Sequence, residues 1–397
     1  AKAQRHLSSK PNDYVAVLRG EYYPKNDSLD FYGDADQLNL EFIQKYLNGI
    51  MKTVKGEGSG RIRLFGSLKK IFLSGDVMVN NGLLNVAFLN TNFHFNDTIK
   101  IRPESFEFEN VAVFDDEKHQ GEISGKITHD YFKNINYDIS AKVNNMLGMN
   151  LSSEESQLFY GKAYASGDIF IKGSPQEANF YLFLKSEPKT KIFLPLALSS
   201  SVSENSFIKY VSRPDSTLLA REALRRRLRR SRFAQQTAET KKEPEETSTR
   251  MKVSLTVEAT PDAEVTIITS EEGDMLKATG SGSLRMVYDD KEDLKLFGNY
   301  EVENGKYVFT LQHIIRRDFN LRKGGTISWT GNPTQATIDL DAVYPIASVS
   351  LTDLFEESEL EGLPKKSVPV NCLLDLTGDL MMPTIKFGIE VPSDPEI

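Results

Sequence analysis

Apolar and polar residues alternate along much of the chain with a period of two. Residues Met251 to Ala259 read Met-Lys-Val-Ser-Leu-Thr-Val-Glu-Ala without a break in this pattern. The alternation recurs along Ala336 to Tyr344 and along Ile385 to Val391. A period of two predicts β-strands, and antiparallel sheets commonly keep one face apolar and one face in water. The predicted fold class is mainly β, and the question of function becomes what the apolar face covers.

One segment has the spacing of a helix instead. Leu40, Ile43, Leu47, Ile50 and Val54 recur at intervals of three and four residues. This spacing predicts a short amphipathic helix over residues 38–54, which ends near Gly56.

Turn-forming residues divide the chain between this segment and about residue 200. The clusters Gly56–Gly60, Asn80–Gly82 and Asn96–Asp97 predict turns between short strands. A soft repeat of a glycine, a short alternating strand and a second glycine occurs at Gly60–Gly66 and at Ser166–Gly173. These features predict a repetitive β-segment over residues 1–213.

Two polar segments interrupt the alternation. Residues 214–250 are predicted to form an arginine-rich helix, which contains seven arginines between Arg221 and Arg232, followed by a polar linker. Such a charge run is usually solvated, although it could also attract anionic headgroups or an acidic partner. Residues 351–366 are predicted to form a short acidic helix and a loop, within a second β-segment over residues 251–397.

Composition narrows the functional classes. Hydrophobic residues make up 39% of the chain, which favours surfaces that are apolar on one side only. The net charge of -8 argues against nucleic acid as a partner. Cys372 stands alone, and the five histidines have no metal-ligand spacing. No nucleophile elbow or phosphate-binding loop is present. The expected protein is not an enzyme and needs neither metal nor cofactor.

The order of motifs in the second β-segment resembles a known family. It runs through Gly273–Met286, Gly298–Leu311, Phe319–Pro333 and Ala336–Tyr344. This series is similar to the C-terminal region of the TamB family, and the upstream pattern is similar to the AsmA-like repeats that accompany it. The resemblance implies an elongated β-taco, in which an antiparallel sheet folds into a U-shaped trough with an apolar interior.

The resemblance also implies a function in outer-membrane biogenesis. It implies a periplasmic protein whose inner-membrane anchor lies upstream of this sequence. One family hypothesis is the conduction of phospholipid acyl chains along the trough. The other is the assembly of outer-membrane β-barrel proteins with a TamA- or BamA-type barrel.

Eighteen residues on the later strands are predicted to line the lipid groove. They are Leu284, Met286, Tyr300, Val302, Tyr307, Phe309, Leu311, Phe319, Leu321, Ile327, Trp329, Ile338, Leu340, Val370, Leu374, Ile385, Phe387 and Ile389. Alternation alone favours a face that packs against protein, as in a sandwich, and only the family resemblance favours an open groove. The pair Asn304-Gly305 predicts a type I′ hairpin within this region, and Asn332-Pro333 a second break.

The barrel-assembly hypothesis has a physical basis of its own, and a third hypothesis comes from another functional class. Exposed strand edges could template nascent β-strands by β-augmentation. An adhesive or carbohydrate-active solenoid would need carboxylate pairs and aromatic platforms on the polar face, and the predicted polar faces do not supply them.

Overall fold

The structure is a computed structural model of the chain. It describes residues 16–46, 51–131, 133–174, 176–196, 250–270, 274–289, 291–311, 315–350 and 367–392. Within these ranges twenty strands form one sheet, so the prediction of a mainly β fold is confirmed. The arginine-rich segment and the acidic segment 351–366 lie outside the described residues.

The strands follow one another closely along the chain. Their bounds are β1 Ala16–Tyr23, β2 Ser28–Asn39, β3 Met51–Ser67, β4 Lys70–Val86, β5 Thr91–Arg102, β6 Ser105–Phe114, β7 Gln120–Asp130, β8 Lys133–Leu151, β9 Tyr160–Gly173, β10 Glu177–Ser186, β11 Lys191–Pro195, β12 Arg250–Ala259, β13 Glu264–Ile268, β14 Met275–Asp289, β15 Glu292–Leu311, β16 Ile315–Leu321, β17 Thr326–Gly331, β18 Thr337–Ser350, β19 Ser367–Asp379 and β20 Pro383–Glu390.

From β1 to β10, each strand pairs antiparallel with the next. At three places further along the sheet, two shorter strands pair with the same neighbouring strand. β10 and β11 both pair with β9, β12 and β13 both pair with β14, and β16 and β17 both pair with β15. Antiparallel pairing then continues through β18 and β19 to β20.

One step in the described sheet is parallel. Strand β10 pairs with β12, and β11 pairs with β13, both in parallel register. A parallel pair needs a long crossover connection. Residues 197–249, which include the arginine-rich segment, are the chain that joins the two sides of this step.

The predicted helix over residues 38–54 is wrong. Strand β2 extends to Asn39, a 3₁₀ helix covers Glu41–Tyr46, and β3 begins at Met51. Val54 is buried within β3, where it pairs with Leu84 of β4. Segment 51–55 reads Met-Lys-Thr-Val-Lys, and tertiary pairing of its β-branched residues overrides the weak helical spacing.

Most of the predicted turns are also wrong. Gly56–Gly60 lies inside β3, Asn80–Gly82 inside β4 and Asn96–Asp97 inside β5. Asn304-Gly305 lies inside β15, where Gly305 pairs with Ala278 of β14. These residues occupy irregularities within long strands rather than the ends of short ones.

The break at Asn332-Pro333 is confirmed. A 3₁₀ turn covers Pro333–Gln335 between β17 and β18, and the Asn332 side chain accepts a hydrogen bond from the Thr334 N–H.

Candidate functional site: the apolar face

The register places apolar residues of successive strands opposite one another on one side of the sheet, here called the apolar face. One row of paired positions crosses the strands from β1 to β12 without a charged residue. It contains Leu18, Gly33, Ile62, Gly75, Ile101, Phe106, Ile127, Tyr137, Gly173, Ala178 and Met251.

A second row on the apolar face crosses the middle of the sheet from β6 to β15. It contains Val111, Ile123, Ala141, Ile169, Leu182, Leu255, Met286 and Leu296. All of these except Val111 are half-buried, so water or a ligand reaches their side chains. The part of this row from Ile123 to Leu296 is called the apolar lane. Six steps of about 4.8 Å between strands give it a length of roughly 30 Å.

The opposite side, here called the charged face, carries rows of alternating charge. One row runs through Lys100, Glu107, Lys126, Asp138 and Lys172 on five consecutive strands. Lys126 Nζ lies 2.8 Å from Glu107, and Lys172 Nζ lies 3.0 Å from Asp138. Opposite charges on neighbouring strands favour this register, although exposed pairs contribute little to stability. The two faces therefore differ in charge, although the charged face also exposes Phe170, Tyr181 and Phe183.

The structure brings most of the predicted groove residues together, but as a closed cluster. Eleven of them are buried: Tyr300, Val302, Tyr307, Phe319, Leu321, Ile327, Trp329, Ile338, Leu340, Val370 and Leu374. All of these except Val370 belong to one hydrophobic cluster, here called the closed core, together with Leu276, Leu376 and others. Burial this complete is typical of protein packed on protein.

The remaining predicted residues are more accessible. Leu284, Met286, Phe309 and Ile385 are half-buried. Phe387 and Ile389 on β20 are 63% and 65% exposed. Leu311 is the last residue of β15. Only Met286 lies on the apolar lane, so the accessible lane is formed mainly by residues upstream of those predicted.

Sequence reasoning missed these upstream residues for an identifiable reason. On β6 the apolar residues switch from even positions (Phe106 and Phe108) to odd positions (Val111 and Val113). Phe108, Val111 and Val113 nevertheless pack in one cluster. Strict alternation assigns them to opposite faces. Asn110, which lies between Phe108 and Val111, was an available signal. The equivalent asparagine of β4 lies in the cluster Asn80–Gly82, which was predicted to be a turn.

Two buried polar atoms stand out in the closed core. The Tyr300 hydroxyl and the Trp329 indole Nε1 have no hydrogen-bond partner among the described residues. Burial raises the pKa of the Tyr300 hydroxyl and raises that of Tyr307 to about 12. Both hydroxyls therefore stay protonated at neutral pH, and the closed core carries no charge at these positions.

One end of the sheet holds a polar cluster around a buried carboxylate. Asp115, between β6 and β7, accepts hydrogen bonds from Leu147 N at 2.8 Å and from Glu117 N at 2.9 Å. It also accepts from the His119 N and Nδ1 atoms, each at 2.8 Å. Burial alone would raise the pKa of Asp115, but the bonds from Leu147 and His119 outweigh it, so this pKa is lowered. The ionised carboxylate therefore fixes the β6–β7 connection against β8.

Neither a metal site nor a spanning helix is found in the part of the chain that the structure describes. No group of three or more His, Cys, Asp or Glu residues there could hold a metal ion. No helix there is long and apolar enough to cross a membrane.

Comparison with known families gives one decisive match. The model of the TamB C-terminal domain matches residues 109–396, which contain β7 to β20 and the whole apolar lane. The chain belongs to the TamB family. TamB proteins act in outer-membrane biogenesis and are associated with the cell envelope and the periplasm. The comparison with curated proteins gives no match.

Proposed function

We propose that this TamB-family chain carries phospholipids between the inner and outer membranes, with their acyl chains on the apolar lane. The observation that supports the proposal is the half-buried row from Ile123 to Leu296, which no charged residue interrupts. Each CH₂ group removed from water contributes about 0.8 kcal/mol, so an acyl chain gains affinity along its whole length.

The dimensions of the lane suit this cargo. Half of a bilayer's hydrocarbon core, about 15 Å, accommodates one acyl chain. The lane is roughly twice that length. Hydrophobic attraction is non-directional, so a chain can slide from strand to strand without a discrete binding residue. This accounts for transport without any catalytic, metal or cofactor chemistry, which we do not assign to the chain.

The proposal extends to the membrane context. We assign the inner-membrane anchor to sequence upstream of this chain and the barrel partner, of the TamA or BamA type, to the outer membrane. The arginine-rich segment is given no role in lipid transport.

The test compares two adjacent residues of β10. Leu182 lies on the apolar lane, and Phe183 lies on the charged face and is 54% exposed. Leu182→Asp introduces a charge into the lane, and Phe183→Asp introduces the same charge one residue away. Native mass spectrometry with lipid extraction should find phospholipid on the parent and on Phe183→Asp but not on Leu182→Asp.

Two results would contradict lipid transport. One is a folded Leu182→Asp protein with the phospholipid content of the parent. The other is a parent protein that carries no phospholipid and moves none between donor and acceptor vesicles.

A second function is favoured by one observation. Strand β20 pairs only with β19 among the described strands, and it exposes Phe387 and Ile389 beside its free edge. Such an edge could template a strand of an outer-membrane β-barrel by β-augmentation. Ile389→Lys should then abolish crosslinking to a nascent barrel and leave lipid content unchanged. Unchanged crosslinking would count against this scaffold function.

A further inference from the structure

Four strands carry the same irregularity at the same place in the pairing. On β2, β4, β6 and β8, two residues oppose a single residue of the next strand, which defines a β-bulge. The second residue of each bulge has a positive φ, and these bulge residues are Gln37 (52°), Asn81 (51°), Asn110 (53°) and Asn145 (48°). Asparagine tolerates this left-handed conformation better than most residues.

The single residue opposite each bulge has a side-chain oxygen that accepts a hydrogen bond from a backbone N–H of the bulge. These anchor residues are Ser59, Asn96, Ser124 and Ser166. They accept the N–H of Gln37, Asn81, Asn110 and Asn145 at 3.0, 2.6, 2.8 and 2.8 Å respectively. The unit is therefore a pair of strands with a bulge on the first and an anchor on the second, repeated four times.

Each bulge changes which residues face the apolar side. One extra residue shifts the alternation by one position, so odd and even residues exchange faces across the bulge. On β6, Phe108 precedes the bulge and Val111 follows it, and both pack in the same cluster. On β8, Val143 and Met146 flank the bulge and pack in that cluster too. Without the bulge, one half of each strand would turn its apolar side chains to water.

We propose that the anchor residues are positioning residues for the apolar face. By holding the bulge N–H, each anchor fixes where the alternation shifts, and so keeps the apolar side chains of both strand halves on one face. The inference rests on the proposed lipid function, because a continuous apolar face is what an acyl chain requires. It assigns control over the continuity of the lipid surface to four polar residues on the opposite face of the sheet.

The test uses Ser124, whose hydroxyl also donates to Asn110 Oδ1 at 3.2 Å. Ser124→Ala removes the anchor, and Ser124→Thr restores a hydroxyl at the same position. Ser140→Ala is the matched control, because Ser140 lies opposite Ser124 on the same face but anchors no bulge. The reporter is Val111→Cys, placed at a side chain that is 2% exposed, in a Cys372→Ser background.

We expect thiol labelling at position 111 to become about tenfold faster in Ser124→Ala, the ratio that corresponds to one lost hydrogen bond. Bound phospholipid should fall in the same variant. Ser124→Thr should restore both values, and Ser140→Ala should match the parent. A general loss of packing would not be reversed by the added hydroxyl of threonine alone.

Two results would overturn the inference. One is unchanged labelling and lipid content in Ser124→Ala, and the other is a failure of Ser124→Thr to restore them. If the parent itself carries no phospholipid, the proposed function fails, and labelling alone decides whether the anchors hold the register. The same comparison at Ser166, with Met146→Cys as reporter, keeps the test decisive if a Ser124 variant does not fold.

Discussion

Ile338 of β18 lies directly opposite Ile327 of β17, and the two side chains are only 3% and 1% exposed. A charge at either position would be surrounded by protein rather than by lipid or water. Ile338→Arg should therefore lower the free energy of unfolding by at least about 3 kcal/mol, because an unpaired charge is buried. Urea denaturation measures this change directly.

The matched control for this variant is Ile338→Val. It should cost only about 0.5–1.5 kcal/mol, since it removes one methylene and adds no charge. A stable Ile338→Arg protein would mean that the closed core opens readily to water or ligand. Lipid loss in that variant, taken alone, would not separate a blocked groove from an unfolded protein, which is why the lipid test uses Leu182.

Two tyrosines should respond in opposite directions to the loss of their hydroxyls. The Tyr300 hydroxyl has no partner among the described residues, whereas Tyr137 donates to the Ser174 carbonyl at 2.9 Å. Tyr300→Phe should raise the free energy of unfolding by about 1 kcal/mol, and Tyr137→Phe should lower it by about the same amount. Chemical denaturation of the two variants in parallel gives both values. A clear loss of stability in Tyr300→Phe would show that this hydroxyl is bonded in solution.

Asp115 should make stability depend on acid pH. Its folded-state pKa is lowered, so the stability that it contributes is present above the ordinary carboxyl pKa of about 3.9 and is lost as pH falls through the lower folded-state value. Asp115→Asn should cost about 2 kcal/mol at pH 7, because the buried donors lose their ionised acceptor.

The control for Asp115 is the adjacent residue. Asp116, whose side chain is 49% exposed in its contact with His94, should tolerate replacement by Asn with a loss under about 1 kcal/mol. In unfolding curves recorded from pH 7 into the acid range, the difference between wild type and Asp115→Asn should narrow as pH falls below about 3.9. A difference that stays constant with pH would contradict the ionised carboxylate.

Gly305 offers a test of how closely β14 and β15 approach each other. A Cβ atom there would lie 2.4 Å from the Lys277 carbonyl oxygen, so Gly305→Ala should destabilise by about 1–3 kcal/mol through overpacking. The same change at Gly388, where the nearest atom lies at 3.4 Å, should be neutral or slightly stabilising. Thermal unfolding of both variants checks the contrast, and a neutral Gly305→Ala would contradict the close approach of Gly305 to β14.

The alternation in the sequence was sufficient to predict the strand class and several strands closely. Met251–Ala259 became β12 with one residue added at its start. Tyr300 and Tyr307 were both assigned to the apolar face, and both are buried in the closed core. One residue number is even and the other odd, so strict alternation would place them on opposite faces. The structure has a register shift within β15 between the positions paired with Thr279 and Gly280, where a hairpin at Asn304-Gly305 had been predicted.

The candidate site was harder to predict, for a physical reason. Alternation tells which side chains share a face, but it contains no information on what lies against that face. Leu340 and Leu182 are indistinguishable by pattern, yet Leu340 is 1% exposed and Leu182 is half-buried on the lane. Only the register and the strands packed nearby separate a core position from an accessible one.

The single parallel step between β10 and β12 has a consequence for how the chain reaches this structure. The antiparallel strands on either side pair mainly with neighbours in sequence, so each pairing closes only a short connection. The parallel step requires closure of the long connection 197–249, which carries an entropic cost before any pairing is gained. Pairing of β10 with β12 is therefore expected to be the slow step of folding. Until it occurs, the edges of both strands stay exposed and can pair with other chains.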